Sequence, residues 1–304
     1  MTRLLRTLLQ RLGVMCLTLI LIISVTGCSS KGSWDNSPKV LVPSADESII
    51  TGNSFLRIDI SNTKDGYLTA AYTGTASKVK FFITTPDKIK YTYDIGTTDT
   101  NTVLPLTGGN GTYSITVMEC VKDNLYSTLY EEEMMVSIDN QFSPFLYPNQ
   151  YTWFTKESAA VIKASQLTEG ATDAIDAIGK VYTYVTTNIT YDEAKAASVT
   201  TGYLPDVDST LATGKGICFD YAALMTAMLR SQGIPTKLEI GYSGDVYHAW
   251  ISAYTEEKGW MNSIIEFDGK SWALIDPTLA SSNSSSSVKK YVGNGSNYTV
   301  KYSR

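Results

Sequence analysis

The sequence predicts an all-β half followed by an α+β half, in which helices pack on an antiparallel sheet. Residues 55–138 form short alternating runs separated by Gly, Asn and Asp turns, which is typical of strands. After about residue 145 the apolar spacing becomes helical, and a further series of strand patterns begins at residue 237. The chain has 304 residues, of which 43% are apolar and 18% charged, so it is able to form about two domains with buried cores.

Residues 1–27 are predicted to be a secretory signal peptide. The apolar run at 13–25 is short for a membrane span, and a basic stretch precedes it, contributed by Arg3, Arg6 and Arg11. The segment Val25-Thr-Gly-Cys28 resembles the bacterial lipobox. That resemblance implies lipid on the Cys28 sulfur, cleavage before Cys28, and anchoring to the outer face of the bacterial cell membrane. An uncleaved anchor helix or an ordinary signal peptide is the alternative.

The charge of the chain argues against two classes of partner. Removing residues 1–27 would lower the formal net charge from −5 to −8. No cluster of Lys or Arg follows residue 11. We therefore expect neither nucleic-acid binding nor charge-driven adhesion to anionic lipid.

Residues 28–50, rich in Ser, Pro and Asp, are predicted to be a tether, and residues 51–140 a β-sandwich of roughly immunoglobulin type. The expected strands of the sandwich lie at 56–60, 78–83, 89–95 and 113–117. The glycines of Gly108–Gly111 do not open a helix, so they do not form a phosphate-binding loop.

Residues 145–304 are predicted to be a second, independently folding domain. Helices are expected at 155–165, 171–185 and 218–232, the last ended by Gly233-Ile-Pro235. Strands are expected at 237–242, 247–254, 263–267 and 271–276. The serine-rich stretch 281–287 is predicted to be a mobile loop before a closing segment at 297–302.

Two of the four cysteines, Cys120 and Cys218, remain once Cys16 leaves with the signal and Cys28 carries lipid. Two cysteines of an exported protein could form a disulfide. Cys120 instead has the position of a structural thiol at the end of a strand. Cys218 follows the turn Gly214-Lys-Gly216 and begins a helix, where unpaired N–H groups favour a thiolate.

The single histidine of the chain, His248, lies in a predicted strand 30 residues after Cys218. An imidazole beside the thiol would act as base and later protonate a leaving group. Asp276 ends a later strand and could orient the imidazole. We expect His248 and Asp276 on neighbouring strands that face the helix of Cys218. A zinc site built from these residues has little support, since the spacing of known zinc motifs is missing.

The motifs GICFDYA at 216–222, LRSQGIP at 229–235, YHAW at 247–250 and WALIDP at 272–277 resemble the transglutaminase-like superfamily, which has a papain-like core. The resemblance covers about residues 155–280 and implies that Cys218 is the nucleophile, His248 the base and acid, and Asp276 the orienting carboxylate. Asn188-Ile-Thr-Tyr-Asp192 resembles the segment that precedes the catalytic helix of the family. The motifs offer no side chain for an oxyanion hole, so the Cys218 backbone N–H is the one donor expected there. They also contain no calcium-binding loop.

These features predict a cell-surface lipoprotein that acts on carboxamide or peptide bonds through a thioester. Transamidation, deamidation and proteolysis all remain open. The expected partner is a protein or peptide, which includes cell-wall peptide, and no cofactor is expected. The alternative is a non-catalytic binding module for envelope protein or peptidoglycan. An intact Cys-His-Asp set favours the enzyme, because an exposed thiol is easily oxidised outside the cell.

Overall fold

The computed structural model describes residues 34–96, 100–243, 245–261, 264–265, 273–274 and 298–304. The predicted signal peptide, Cys28, Asp276 and the serine-rich stretch 281–287 lie outside the described residues, and the predictions concerning them stay predictions.

The first half of the described chain is built from two four-stranded antiparallel sheets. Their strand orders are β1-β2-β3-β6 and β5-β4-β7-β8. The strands are β1 Ile50–Gly52, β2 Leu56–Asp59, β3 Tyr67–Tyr72, β4 Val79–Thr84, β5 Lys90–Ile95, β6 Thr102–Pro105, β7 Gly111–Lys122 and β8 Leu125–Val136. Apolar side chains from both sheets form one buried cluster, so the two sheets share a core. We call residues 50–136 the β half.

In the described residues of the second half, five helices lie before and beside a four-stranded antiparallel sheet of order β13-β12-β11-β16. The helices are α1 Ala159–Thr168, α2 Ala174–Asn188, α3 Glu193–Ser198, α4 Val207–Thr213 and α5 Cys218–Ser231. The sheet strands are β11 Thr236–Ser243, β12 Val246–Thr255, β13 Gly259–Met261 and β16 Tyr298–Ser303. Two short pairs complete the fold: parallel β9 Thr190–Tyr191 with β10 Lys215–Gly216, and antiparallel β14 Ile264–Ile265 with β15 Ala273–Leu274. The expected α+β architecture is therefore present.

Helix α5 is the centre of this half, since every residue from Asp220 to Ser231 is buried. It packs against α1, α2 and α4 on one side and against β11 and β12 on the other. The helix ends at Ser231, and Gly233 follows with a φ of 75°, the left-handed conformation that glycine accepts without strain. Buried Arg230 then donates to three backbone oxygen atoms, of Thr236 at 2.9 Å, Tyr147 at 2.7 Å and Arg304 at 2.8 Å. The end of α5 is thus joined to the sheet and to the segment that follows the β half.

The segment before β1 contacts both halves. Its Trp34 N–H donates to the carbonyl oxygen of Ala171 at 2.8 Å, and Lys39 N–H donates to that of Ser231 at 2.7 Å. Val40 belongs to the buried cluster of the helical layer. Residues 34–40 of the segment predicted to be a tether are therefore packed against the helices.

Direct contacts also join the β half to the second half, and residues Trp34–Arg304 form a single compact unit. The Tyr91 and Tyr302 ring centroids are 5.5 Å apart, and Ser303 N–H donates to Tyr91 Oη at 3.2 Å. Independent folding of residues 145–304 stays a prediction. Within the described part of the chain, no helix has both the length and the hydrophobicity needed to cross a membrane.

Candidate functional site

Cys218 is the first residue of α5 and is half-buried at the edge of the helical core. Ile217 caps the helix in an extended conformation, with φ −92° and ψ 175°. Its backbone N–H donates to Oδ2 of Asp220 at 2.8 Å. This is the capping-box hydrogen bond in which the side chain of the third helical residue accepts from the N-cap backbone. The sulfur therefore lies beside the helix N–H groups that lack intrahelical partners, and these groups favour a negative charge there.

The start of α5 is held by the segment that follows helix α2. Thr190 N–H donates to Gly214 O at 2.8 Å and Asp192 N–H to Gly216 O at 2.9 Å, which pairs β9 with β10. The Tyr221 hydroxyl donates to Ile189 O at 2.6 Å. The segment Asn188–Asp192, selected from its resemblance to the family, thus fixes the backbone directly before Cys218.

Gly216 is required by close packing at this point. A Cβ atom at Gly216 would lie 2.6 Å from the Cβ atom of Asp220, a distance that van der Waals contact does not permit. Glycine therefore lets the chain approach its own helix start two residues before the sulfur.

The carboxylate of Asp220 is fully buried and is the centre of a polar network that the sequence motifs do not predict. It pairs with Lys195 Nζ at 2.7 Å and accepts a short hydrogen bond from the Tyr203 hydroxyl, in addition to the bond from Ile217 N–H. Lys195 Nζ also donates to Tyr203 Oη at 2.5 Å. The network ties helix α3 and the loop that follows it, residues 199–205, to the start of α5.

Burial and charge shift two pKa values within this network. Burial lowers the pKa of Lys195, but its hydrogen bonds to Asp220 and Tyr203 and the charge of Asp220 outweigh this, so the net shift is upward. Burial, and then the hydrogen bond to Asp220, raise the pKa of Tyr203 to about 12. At neutral pH the network therefore contains an ammonium group and a neutral phenol beside the carboxylate.

His248 lies near the beginning of β12, opposite Gly241 of β11. Its ring stacks on Trp250 with a centroid distance of 6.4 Å and an interplanar angle of 23°. Trp250 is fully buried and donates through Nε1 to the buried carboxyl of Glu239 at 2.9 Å. Ser252 Oγ donates to the same oxygen at 2.8 Å. Glu239 therefore holds the aromatic ring on which the imidazole stacks.

One expectation for His248 requires correction. The residues of β12 that join the buried cluster of the helical layer are Ala249, Ile251 and Ala253. Because side chains alternate along a strand, His248 lies on the other side of β12 from these residues. The prediction that His248 faces the helix of Cys218 is wrong in this respect, and the imidazole reaches the cavity described next from the beginning of the strand.

Cys218 and His248 line one cavity of about 670 Å³, a size suited to a small molecule or a short peptide segment. The second half supplies most of its wall, from the region of β9, the loop 199–204, the start of α5 and strands β11, β12 and β16. The β half supplies Lys80, Thr92 and Asp94. The candidate site is therefore a cleft to which both halves contribute.

The rim of the cavity exposes apolar side chains. Val199 is 38% exposed, Leu204 39% and Tyr247 58%. Lys80 and Asp94 form an ion pair, with 2.5 Å between Nζ and Oδ1. Exposed apolar groups around an opening are typical of a surface that binds another molecule.

The structure brings together two of the three predicted catalytic residues, Cys218 and His248. Asp276 lies outside the described residues, and the described part of its predicted strand, β15, pairs with β14. Among the described strands, the neighbours of β12 are β11 and β13. Cys120 and Cys218 are both free thiols, and Cys120 is half-buried near the end of β7, away from the cavity lining.

Comparison with known proteins supports the family resemblance. Residues 163–263 match the family model described as the transglutaminase-like superfamily. No curated protein matches the chain by sequence.

Three of the solved structures that resemble the chain each have low sequence identity to it and a low TM-score. The first is a proposed cysteine protease from Cytophaga hutchinsonii, with 15% identity, a TM-score of 0.39, and coverage of 79% of this chain and 76% of that one. The second is a proposed protease from Parabacteroides distasonis, with 13% identity, a TM-score of 0.30, and coverage of 76% and 63%. The third is red sea bream transglutaminase, with 13% identity, a TM-score of 0.28, and coverage of 72% and 49%. At these scores the likenesses assign no function to this chain.

Proposed function

We propose that this protein is a cysteine-dependent acyltransferase or amidase that acts on carboxamide or peptide bonds. The observation that carries the proposal is the position of Cys218 at the N-terminus of a buried helix, on the same cavity as the single histidine of the chain. The match of residues 163–263 to the transglutaminase-like superfamily supports the same class of chemistry.

In the proposed reaction the Cys218 thiolate attacks the carbonyl carbon of a carboxamide or peptide bond. The negative charge that develops on the carbonyl oxygen is stabilised by the Cys218 backbone N–H at the helix start. Protonated His248 then transfers a proton to the departing nitrogen, the C–N bond breaks, and an amine or ammonia leaves a thioester on Cys218. The proposed role of Asp276 is to orient the imidazole.

The thioester is resolved by a second nucleophile. An amine acceptor loses a proton to His248 and forms an isopeptide bond, whereas water gives a carboxylic acid. The first outcome is transamidation, and the second is deamidation or proteolysis, depending on whether the donor is a glutamine side chain or a peptide bond. In each case the free thiol is regenerated.

Trapping of the acyl intermediate tests this proposal. The full chain is incubated with a library of glutamine-containing peptides and a biotinylated alkylamine, and products and protein are measured by mass spectrometry. We expect an acyl adduct on Cys218 and a product that is absent with the C218A variant. The C120A variant is the matched control, since Cys120 does not line the cavity, and it should retain the activity.

Absence of both adduct and product, with a protein that still binds the peptides, would contradict the enzyme and favour the non-catalytic binding module. A product that persists in C218A would remove Cys218 from the reaction.

We also propose that the protein is exported and anchored to the outer face of the bacterial cell membrane through lipid on Cys28. The support is the sequence alone, namely the basic, apolar and Val25-Thr-Gly-Cys28 segments in order. C28S should abolish labelling with a radioactive fatty acid and release the protein from the membrane fraction. A variant that stays in the membrane fraction without processing would identify the segment as an anchor helix.

The β half is proposed to be an immunoglobulin-like sandwich. Its support is the crossing of the chain between the two sheets, since β4 and β5 share one sheet with β7 and β8, whereas β6 between them pairs with β3 in the other sheet. The role proposed for this half is to complete the substrate cleft through Lys80, Thr92 and Asp94.

A further inference from the structure

Arg304 places a buried cation on the wall of the candidate cleft. The residue is 5% exposed, and its side chain lines the cavity that Cys218 and His248 also line. Its backbone is fixed, because Arg304 N–H donates to Leu238 O at 2.8 Å and Leu238 N–H donates to Arg304 O at 2.7 Å. The side chain therefore starts from a rigid position at the end of β16.

The guanidinium group is surrounded by tyrosine rings. Its central carbon lies 4.1 Å from the ring centroid of Tyr151, 4.8 Å from Tyr302, 5.4 Å from Tyr91 and 5.9 Å from Tyr93. Ring faces attract a cation through their quadrupole but accept no strong hydrogen bond. The cage stabilises the charge of Arg304, and side-chain hydrogen bonds with Arg304 lower the pKa of Tyr93 and Tyr151 in part.

Two of the N–H groups of Arg304 have no acceptor. Nε and Nη1 of Arg304 are buried, and neither forms a hydrogen bond with any described residue. Leaving a charged donor buried without an acceptor costs free energy, and such groups in native proteins are usually paired. The guanidinium therefore has two N–H donors available for hydrogen bonds to an anionic ligand.

The cavity does not supply that anion. Among the described residues that line it, Asp94 is the one carboxylate, and it is already paired with Lys80. With Lys80 and Asp94 compensating each other, Arg304 leaves this part of the wall positively charged in a protein whose net charge is −5. A local positive site in an acidic protein selects for a negatively charged ligand group.

The position of Arg304 connects this charge to both predicted catalytic residues. The Tyr151 ring, which covers the guanidinium, also contacts Phe219 at a centroid distance of 6.1 Å, and Phe219 follows Cys218. Tyr247, which precedes His248, has its pKa raised by burial and lowered in part by the charge of Arg304. The cation is thus connected to Cys218 through the rings of Tyr151 and Phe219, and it lies close enough to Tyr247 for its charge to act on that phenol.

We propose that Arg304 is a substrate-binding residue whose guanidinium receives a carboxylate of the peptide substrate. This inference rests on the proposed function, because it names the class of peptide that the same cleft takes. The planar guanidinium donates two parallel hydrogen bonds to a carboxylate, which neither an amide nor water matches. The carboxylate could be that of a peptide C-terminus or of a Glu or Asp side chain, and the two sources are separable by experiment.

The test measures binding, so it does not depend on turnover. The full chain carrying C218A is titrated with short peptides in matched pairs, observed by saturation-transfer NMR and calorimetry up to millimolar concentration. One pair differs only in a C-terminal carboxylate against a carboxamide, and the other only in Glu against Gln within the sequence. We expect at least one acid to bind about tenfold or more tightly than its amide.

Variants then assign the preference to Arg304. R304M in the C218A background should bind the acid and its amide equally. R304K should keep a reduced preference for the acid, since an ammonium retains the charge but does not donate two parallel hydrogen bonds. K80M is the matched control, because it removes a cavity cation that already has a partner, and the acid preference should persist. Melting temperatures of all variants are measured in parallel, and the comparison of acid with amide in the C218A parent needs no Arg304 variant to fold.

Equal binding of acid and amide in both pairs, or no binding of either acid, would overturn the role of Arg304. An acid preference that survives in folded R304M would overturn it as well. If the C218A parent shows the preference while the wild type forms no acyl adduct, the proposed reaction fails and the carboxylate site stands.

Discussion

Lys195 Nζ lies 2.7 Å from Oδ2 of Asp220, a carboxylate that is fully buried two residues after Cys218. Asp220 also accepts hydrogen bonds from Ile217 N–H and from the Tyr203 hydroxyl. One side chain therefore caps the helix of the candidate nucleophile and anchors the loop 199–205, part of which lines the cleft. Asp220 is buried, Lys195 is partly exposed, and neither residue lines the cleft. We therefore expect the ion pair to position the start of α5.

Replacing Asp220 with Asn should destabilise the protein by about 1.5–3 kcal/mol, since Lys195 and Tyr203 lose their charged acceptor. D173N is the matched control. Asp173 caps helix α2 at an exposed position, where Asn caps nearly as well, so a change of about 0.5 kcal/mol or less is expected. Urea unfolding of the full chain measures both. Equal effects of D220N and D173N would contradict a special role for the buried carboxylate.

Tyr203 should make the stability of the protein fall in alkaline solution. Its pKa rises from 10.0 to about 12 in the folded protein, so the stability it contributes is fully present below pH 10 and is lost as pH rises toward 12. The upward pKa shift of Lys195 acts in the same direction. The difference in unfolding free energy between wild type and Y203F should therefore shrink between pH 9 and pH 12, judged against a Y126F control outside the network. Parallel curves for wild type and Y203F would refute the assignment.

The sequence predicts a helix or strand correctly where its local residue pattern is typical of that element alone. Helix α5 is recognised because Gly233 and Pro235 stop a long apolar run, and the structure has it at Cys218–Ser231. Strand β3 is missed because all six of its residues are buried, so no alternation marks it. Strand β8 is missed because three consecutive glutamates are unusual in a strand, and pairing along β7 overrides that preference.

The candidate site is predicted in part. Cys218 and His248 are predicted from short motifs, because a thiol and an imidazole are reactive groups that can be recognised from the residue type alone. The network of Asp220, Lys195 and Tyr203 spans 26 positions of chain and forms only when Lys195 of α3 comes close to the start of α5. A signal was present nonetheless, because an acidic residue in the first turn of a helix is typical of a helix N-terminus. Arg304 had no such signal, since its cage of tyrosines comes from both halves.

The contacts between the halves predict that residues 145–304 alone are folded but less stable than the full chain. The isolated segment keeps most of the helical core but loses residues 34–40, which pack against it. It also loses Tyr91 and Tyr93 from the cage around Arg304, and with Tyr91 the acceptor of the Ser303 N–H. Circular dichroism should show helical structure with a lower melting temperature. An unfolded segment would mean that the β half is part of the same folding unit, and an equal melting temperature would mean that the contacts contribute nothing.

Glu239 should give the protein a pH dependence in mild acid. Burial raises the pKa of its carboxyl above the ordinary 4.5, although Ser252, Lys237, Trp250 and Ser303 lower it in part. A raised carboxyl pKa favours folding in the protonated state, so this contribution is lost as pH rises through the folded value and regained on acidification. The wild type should therefore gain stability relative to E239Q as pH falls from 8 toward 4.5, whereas an E169Q control at an exposed site should stay level. A constant gap between wild type and E239Q would contradict the shift.

The last prediction concerns the pairing of Cys218 with His248. The thiolate, and not the thiol, reacts with iodoacetamide, so pairing with His248 predicts that Cys218 is alkylated faster than Cys120. H248A should slow alkylation of Cys218 by about tenfold, because the imidazole no longer assists formation of the thiolate. D276A should leave the thiol reactive and reduce turnover, as expected of an orienting residue. Cys120 is the internal control in every sample, and mass spectrometry separates the two modified peptides. Superimposable rate profiles for wild type and folded H248A would show that His248 stacks on Trp250 as a structural residue only, and the binding module would then be the better account of the cleft.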